Sequence, residues 1–237
     1  MSTPTQPQPA QADDLGALLN RSFNLFFARI GQYVVISLIV AVPILVLSLL
    51  LVVVMATGAP SVESPMGARA LLGIGTGGVV LVSILGFLGG ALVLGALIHA
   101  ARTQIAGGET SVGEAYRAAL SKWLPLVAVT IVVGLAASVG SLLFLLPGLA
   151  ALFFLCLTPI ALMVDDLGVG QALSRSCSLA LKVPGEIIVI GLIAFAAGVV
   201  LGLIPILGLF ANCVVMPWAL IALTLAYEKA KKLAAPA

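Results

Sequence analysis

Charged residues are scarce in this sequence, since Asp, Glu, Lys and Arg make up only 8% of its 237 residues. Soluble domains carry about 25% charged residues, whereas 62% of this chain is hydrophobic and its mean hydropathy is +1.25. This imbalance excludes a soluble globular domain and a disordered chain. The net charge of +2 provides no strong field for a polyanion, so we expect no nucleic-acid partner.

Residues that carry catalytic or metal chemistry are also few. The sequence has one histidine, His99, and three cysteines, Cys156, Cys177 and Cys213, without a C-x-x-C pair. The cysteines are typical of small buried hydrophobic residues rather than metal ligands. His99 could shuttle a proton near neutral pH, or it could cap a helix end or lie among headgroups. We therefore expect no enzyme activity, no cofactor and no metal.

Asp165 and Asp166 are adjacent acidic residues between two apolar runs. Neighbouring side chains on a helix point about 100° apart, so the two carboxylates are poorly placed to act on one substrate. We predict instead that they form a turn and cap the helix that follows. Arg175, Arg117 and Lys182 are the predicted ion-pair partners.

Long apolar runs dominate the rest of the chain, and six of them approach the roughly 20 residues that a membrane-spanning helix needs. They cover residues 33–55, 72–98, 124–145, 147–164, 186–204 and 207–226. The sequence therefore predicts an all-α polytopic membrane bundle of six transmembrane helices. We expect one domain over residues 13–232, a disordered N-terminal tail over 1–12 and a C-terminal tail over 233–237.

Basic residues fall almost entirely on one side of these six runs. Every Lys and Arg except Arg69 lies in the segments that alternate onto that side. Cytoplasmic loops carry an excess of Lys and Arg. The sequence therefore predicts a multi-pass protein with both termini in the cytoplasm.

Three segments of the chain align on a glycine, and each precedes a pair of apolar runs. The segments begin at Leu15, Val112 and Val169, and Pro159 of the second unit has a counterpart in Pro217 of the third. The alignment favours three parallel repeats, each an amphipathic helix followed by a transmembrane hairpin. Chance similarity among apolar sequences is the alternative. The predicted repeats cover about residues 13–105, 109–166 and 167–230.

The amphipathic helices are expected to lie in the membrane interface. Ser111 and Glu114 form a capping-box pattern, and Asp14 is placed to cap the first helix. Because two spans separate consecutive amphipathic helices, all three should lie on the cytoplasmic side as a collar. Basic residues there predict contacts with anionic lipid headgroups. The candidate headgroup contacts are Arg21, Arg29, Arg117, Lys122, Arg175, Lys182, Lys229, Lys231 and Lys232.

Glycines and prolines inside the spans predict close packing and kinks. Glycines crowd the second span, where Gly86 and Gly90 have the GxxxG spacing, which favours a packing seam inside the bundle or between protomers. Pro43, Pro159 and Pro217 fall inside spans and should kink them. Kinked helices could open a cavity in the membrane midplane.

The most specific motif covers residues 146–185. It contains Pro147-Gly148, Thr158-Pro159, Val164-Asp165-Asp166-Leu167-Gly168 and Gln171-Ala172-Leu173-Ser174. The motif resembles the membrane domain associated with bacterial glycerophosphoryl diester phosphodiesterases and with related six-span proteins of the bacterial inner membrane. The resemblance extends over about residues 15–230 and implies an inner-membrane location. Activity in those enzymes belongs to a soluble barrel, which we expect this chain, ending at Ala237, to lack.

These observations predict a non-enzymatic integral protein of the inner membrane with a scaffold, accessory or lipid-binding role. The expected partners are membrane lipids with anionic headgroups, together with a membrane protein or a second copy of the chain. The alternative is a transporter or channel for a small molecule or lipid, with a cavity on the axis of the repeats.

Overall fold

The computed structural model describes residues 15–58, 64–203 and 205–234, and the predicted N-terminal tail and the Asp14 cap lie outside them. Within these ranges the chain forms ten helices and no strand. The helices are α1 (Leu15–Ala28), α2 (Ile30–Gly58), α3 (Pro65–Ile105), α4 (Val112–Ser121), α5 (Trp123–Leu143), α6 (Leu145–Leu155), α7 (Thr158–Val164), α8 (Val169–Ala180), α9 (Pro184–Gly202) and α10 (Pro205–Ala234). The all-α prediction is confirmed, although α10 continues into the predicted C-terminal tail.

Six helical segments are long and apolar enough to cross a membrane. They are Ile30–Gly58, Met66–Ile105, Trp123–Leu143, Leu146–Val164, Pro184–Gly202 and Cys213–Ala234. Each segment overlaps one of the six predicted apolar runs, because a stretch of about 20 apolar residues that lies in lipid satisfies its backbone hydrogen bonds by forming a helix. The chain is therefore a multi-pass integral membrane protein.

The three prolines predicted to kink spans do not behave alike. Pro43 and Pro217 lie inside α2 and α10, which continue past them. Pro159 instead lies in the first turn of α7, after a break at Cys156 and Leu157. Proline has no N–H to donate, so a first turn accommodates it at little cost. The fourth span is therefore two helices, α6 and α7, rather than one kinked helix.

The order short helix, span, span occurs three times along the chain. It begins with α1, α4 and α8, and we call these three helices the collar. The buried residues of each collar helix include a pair one turn apart, in the same register relative to the aligned glycine. The pairs are Leu18 with Ser22, Ala115 with Ala119, and Ala172 with Ser176. The shared register favours the threefold repeat, which itself stays a prediction.

The buried core lies on the side of the membrane that holds the collar, the collar side. All seven residues of α7 (Thr158–Val164) are buried, among α3, α5, α8 and α10. The long spans bury residues mainly where they approach the collar. Farther away their large apolar side chains are exposed and face lipid. Examples are Leu50, Val53, Val80, Leu135 and Leu192.

The glycine-rich second span packs through a seam inside the bundle. Three of its glycines lie so close to α2 that an added Cβ would overlap a side chain there. The pairs are Gly75 with Met55, Gly78 with Leu51, and Gly89 with Val40. The predicted GxxxG pair is not that seam, because Gly90 has no neighbour within 4 Å of the same position and Gly86 has only Ile44, at 4.0 Å. The seam joins α2 to α3, a contact within the chain.

Candidate functional site

The start of α4 is fixed by the predicted capping box. The Ser111 hydroxyl accepts a hydrogen bond from the Glu114 backbone N–H at 3.2 Å, and the Glu114 carboxylate accepts one from the Ser111 N–H at 2.7 Å. That second bond holds the pKa of Glu114 below its usual value. The Tyr116 hydroxyl donates to the carbonyl of Ile36 at 2.7 Å, so α4 is also tied to α2.

A polar network joins α1, α2 and the end of α3. The Tyr33 hydroxyl donates to the Gln104 side-chain oxygen at 2.6 Å, and the Gln104 amide donates to the Leu25 carbonyl at 2.8 Å. Phe23 stacks on Trp218 with ring centroids 4.9 Å apart, which holds α1 against α10. The helix α1 is therefore joined to the end of α3 by a hydrogen bond and to the middle of α10 by ring stacking.

The turn at Asp165 and Asp166 departs from the prediction that it caps α8. Asp165 ends α7, Asp166 has a left-handed φ of 57°, and the N-cap of α8 is Gly168, which has no side chain to offer. A capping side chain must come from the N-cap position itself to reach the first free N–H groups. The predicted turn is confirmed, and the predicted cap is wrong.

The two aspartates pair with different helices, and neither forms an ion pair with Arg175, Arg117 or Lys182. Asp165 accepts from Lys231 at 2.7 Å and from the Tyr227 hydroxyl at 2.6 Å, both on α10. Asp166 lies 2.5 Å from Lys122 at the end of α4.

The pKa of Asp165 reflects this environment. Burial raises it, but the hydrogen bonds from Lys231 and Tyr227 outweigh burial, so the pKa is lowered overall. The Lys122 hydrogen bond lowers the pKa of Asp166. Both carboxylates are therefore held in the charged form, each facing its own lysine.

Four of the nine predicted headgroup contacts are already paired with acidic side chains. The ion pairs are Arg29 with Glu109 at 2.6 Å, Lys122 with Asp166 at 2.5 Å, Lys229 with Glu186 at 2.8 Å, and Lys231 with Asp165 at 2.7 Å. The two lysine pairs of α10 tie its end to α9 and to the turn after α7. These cations help to hold the collar side together, and less of their charge is available to a lipid.

The other five predicted contacts form no ion pair within 4.0 Å in the part of the chain that the structure describes. Arg117 and Lys182 are exposed at the edge of the collar, and Arg175 lies near Asp165 and Tyr227. The remaining two, Arg21 and Lys232, line a common cavity.

This cavity, of about 400 Å³, opens between α1, the end of α3 and the end of α10. We call it the collar cavity. Its charged lining consists of Arg21, Arg102, Glu228, Lys229 and Lys232. Its apolar lining includes Ala17, Leu18, Ile105 and Leu225. The cavity thus combines a strongly basic wall with an apolar one.

Three cations of the collar cavity have no carboxylate within 4.0 Å among the described residues. They are Arg21, Arg102 and Lys232, whereas Lys229 pairs with Glu186. Glu228 also lines the cavity and forms no ion pair with a described residue. Among the described residues that line the cavity, three unpaired cations against one carboxylate leave a surplus of two positive charges. An anion is the ligand that this arrangement attracts.

Sequence reasoning missed Arg102 and Glu228. Both lie near the ends of long helices, α3 and α10, and only the packing of α1 against those ends brings them into one cavity. The available signal was the position of Arg102 directly after the second apolar run, on the basic side.

The other residues that the sequence suggested for catalysis or metal binding do not line the collar cavity. Of the described residues, neither His99 nor Asp165 nor Asp166 lines it. The cysteines are free, with Cys213 buried and the other two half-buried. Nowhere in the described ranges do three His, Cys, Asp or Glu side chains group so that they could hold a metal ion.

A second cavity of about 400 Å³ bears on the transport alternative. It lies at the end of the α2–α3 hairpin away from the collar, lined by Met55, Leu71, Leu72 and Gly75 among others. Its lining belongs to one hairpin, so it does not lie on an axis shared by three repeats. Transport stays a hypothesis from the sequence.

Comparison with known proteins identified no relative of this chain. No protein-family model matches this chain, and no curated protein or solved structure matches it. The resemblance to the membrane domain of glycerophosphoryl diester phosphodiesterases therefore stays a prediction that rests on the motif in residues 146–185.

Proposed function

We propose that this chain is a non-enzymatic integral protein of the bacterial inner membrane that binds anionic lipid headgroups on its collar side, with both termini in the cytoplasm. The observation that carries the proposal is the collar cavity, where Arg21, Arg102 and Lys232 have no carboxylate partner among the residues that the structure describes. Basic pockets between membrane helices on the cytoplasmic side bind anionic headgroups.

The apolar surface of the collar supports this location. Phe27, Leu120, Trp123 and Leu181 are large apolar side chains that the structure leaves exposed there. Exposed aromatic and aliphatic groups beside basic residues are typical of helices at the level of the headgroups. A headgroup would thus reach the collar cavity from the lipid layer around the protein.

The test compares lipid retention by the whole chain in nanodiscs. Purified protein is exchanged into mixtures of phosphatidylglycerol and phosphatidylcholine, and the lipid that stays bound is measured by native mass spectrometry. We expect the wild type to retain phosphatidylglycerol preferentially. The double variant Arg21→Gln/Lys232→Gln should lose that preference, because each cation near the surface contributes about 1 kcal/mol, which is about fivefold in affinity.

The matched control is Arg117→Gln/Lys182→Gln, which removes the same charge from exposed positions outside the collar cavity. We expect this control to keep most of the preference. Equal retention of the two lipids by the wild type would overturn the proposal. Equal losses in both double variants would show that net charge alone attracts the lipid and that the cavity has no special role.

A further inference from the structure

The charged groups of the collar cavity come from three separate helices. Arg21 lies on α1, Arg102 on α3, and Lys232 and Glu228 on α10. Cations that converge from three directions suit an anion with several exposed oxygens better than a single negative point. The cavity therefore offers a basis, in geometry as well as in charge, for selectivity among anionic groups.

We propose that the collar cavity binds a phosphomonoester, a phosphate with one ester link and three terminal oxygens. This inference rests on the proposed function and deepens it. A phosphomonoester carries about −1.5 to −2 charges at pH 7, because its second pKa is about 6. That charge matches the surplus of two positive charges in the cavity, whereas a phosphodiester carries only one negative charge.

The side chains fit the terminal oxygens of a phosphomonoester. The guanidinium group is planar and can donate two parallel hydrogen bonds to a phosphate, while an ammonium acts as a point charge. Arg21 and Arg102 can each take one edge of the phosphate, and Lys232 the remaining oxygen. A phosphodiester offers two terminal oxygens, so one of the three cations would stay unpaired.

Glu228 distinguishes this ligand from a zwitterionic headgroup. Its carboxylate repels a phosphomonoester, but it would attract the ammonium of an ethanolamine headgroup. A zwitterion has no net charge and would leave the positive surplus of the cavity uncompensated. The charges of the cavity therefore favour the phosphomonoester, and Glu228→Gln gives opposite results for the two ligands.

The phosphomonoester could belong to a lipid or to a free phosphate compound, and the apolar lining at Leu18, Ile105 and Leu225 is compatible with both. The volume of about 400 Å³ lies within the range of about 300–1,000 Å³ that small-molecule pockets have. The two sources share the chemistry of the terminal phosphate, so the experiment separates them by competition.

The experiment uses the full chain in phosphatidylcholine nanodiscs that contain a small fraction of one test lipid. The test lipids are phosphatidic acid, a phosphomonoester, phosphatidylglycerol, an anionic phosphodiester, and phosphatidylethanolamine, a zwitterion. Native mass spectrometry measures bound lipid. We expect phosphatidic acid to bind about fivefold or more tightly than phosphatidylglycerol, since one further charge near a basic surface has about that effect.

Two further readouts are specific to a phosphomonoester. Binding of phosphatidic acid should tighten as the pH rises through about 6, because its second proton leaves there, while binding of phosphatidylglycerol should not change. Inorganic phosphate, added as a competitor, identifies the source. Displacement at millimolar concentration points to a free phosphate compound, and resistance to it points to a lipid.

The variants tie these results to the cavity. Arg102→Gln should weaken the binding of phosphatidic acid about fivefold or more, Arg102→Lys should have a smaller effect, and Lys182→Gln, outside the cavity, should have little. Glu228→Gln should tighten binding. Each variant must first show the wild-type thermal unfolding profile, and Arg21→Gln replaces Arg102→Gln if that variant does not fold.

The outcomes separate this inference from the proposed function. Equal affinity for phosphatidic acid and phosphatidylglycerol would overturn the phosphomonoester site and leave anionic-lipid binding in place. Preferential binding of phosphatidylethanolamine, weakened by Glu228→Gln, would also overturn it. Absence of binding to either anionic lipid would overturn both proposals.

Discussion

Asp165 is one of two acidic residues, with Glu186, that hold the end of α10 against the rest of the collar side. Its side chain is only 16% exposed and accepts two short hydrogen bonds, from Lys231 and Tyr227. Asp166, its neighbour, is 84% exposed and forms one ion pair, with Lys122. The two adjacent aspartates should therefore contribute unequally to the stability of the fold, and this difference can be measured.

We expect Asp165→Asn to lower the free energy of unfolding by about 1–3 kcal/mol, because it removes a charged acceptor from the buried Tyr227 and the half-buried Lys231. Asp166→Asn should have little effect, since exposed ion pairs contribute little to stability. Denaturant or thermal unfolding in detergent measures both. A larger loss in the Asp166 variant would contradict this reading of the turn.

The loss of folding stability at acidic pH is expected to depend on Asp165. Its pKa is lowered in the folded protein, so the unfolded chain binds a proton at higher pH than the folded one. The stabilisation is complete above the ordinary pKa of aspartate, about 3.9, and is lost as the pH falls through the folded value. The unfolding temperature of the wild type should therefore stay constant from pH 7 to about 5 and fall below about pH 4.

The matched measurement repeats this pH series with Asp165→Asn. The variant should start from a lower unfolding temperature and lose less between pH 5 and pH 3, because asparagine does not titrate there. If the unfolding temperatures of the two proteins fall equally with pH, the acid sensitivity belongs to other carboxylates. Asp166 and Glu114, whose pKa values are also lowered, are examples.

Among the elements, the α2–α3 hairpin depends on the glycine seam. A Cβ at Gly89 would overlap the Val40 side chain of α2, whereas a Cβ at Gly90 has no neighbour within 4 Å. Of these two adjacent glycines, Gly89 therefore faces the neighbouring helix and Gly90 faces open space. Because lipid provides no hydrophobic drive between helices, such close contacts decide how well two spans pack.

We expect Gly89→Ala to destabilise the protein and Gly90→Ala to leave it unchanged or more stable. Alanine gains about 0.8–1.0 kcal/mol over glycine in a helix at either site. At Gly89 that gain is opposed by overpacking against Val40, which costs about 1–3 kcal/mol. Thermal unfolding of the two variants in the same detergent gives the comparison. Equal stabilities would show that α2 moves aside at no cost.

The elements also show what hydropathy can and cannot predict. All six spans were predicted, because about 20 apolar residues satisfy their backbone in lipid only as a helix. The break between α6 and α7 at Cys156 and Leu157 was not predicted. The mean hydropathy of an apolar run is the same whether or not its helix is interrupted. The Ser111–Glu114 capping box was predicted because all of its residues lie within four positions of the sequence. The predicted cap at Asp165 and Asp166 was wrong because α8 begins later, and Gly168 occupies its N-cap position.

Across the whole molecule, the candidate site was predicted only in part. Net positive charge on one side is visible in the sequence, and the predicted headgroup contacts include Arg21 and Lys232, which line the collar cavity. Arg102 and Glu228 were missed because three helices far apart in sequence form the cavity. Four predicted cations turned out to be paired, which depends on tertiary neighbours rather than on local sequence. They are Arg29, Lys122, Lys229 and Lys231.

The orientation of the molecule in the membrane remains a prediction, and two exposed positions test it. Met66 is 83% exposed at the start of α3, near Arg69, and Ser178 is exposed on the collar helix α8. An odd number of spans separates them, so they must lie on opposite sides of the membrane. Since nearly all Lys and Arg lie on the collar side, that side should be cytoplasmic.

We therefore expect Met66→Cys to react with a membrane-impermeant maleimide in spheroplasts and Ser178→Cys to react only in inverted vesicles, both with the native Cys156, Cys177 and Cys213 replaced by alanine. The cysteine-free parent is the control for background labelling. Labelling of both positions from one side would contradict six spans. The reverse pattern would keep the fold and turn the collar cavity away from the cytoplasm, so that its phosphomonoester would have to come from the outer leaflet or the periplasm.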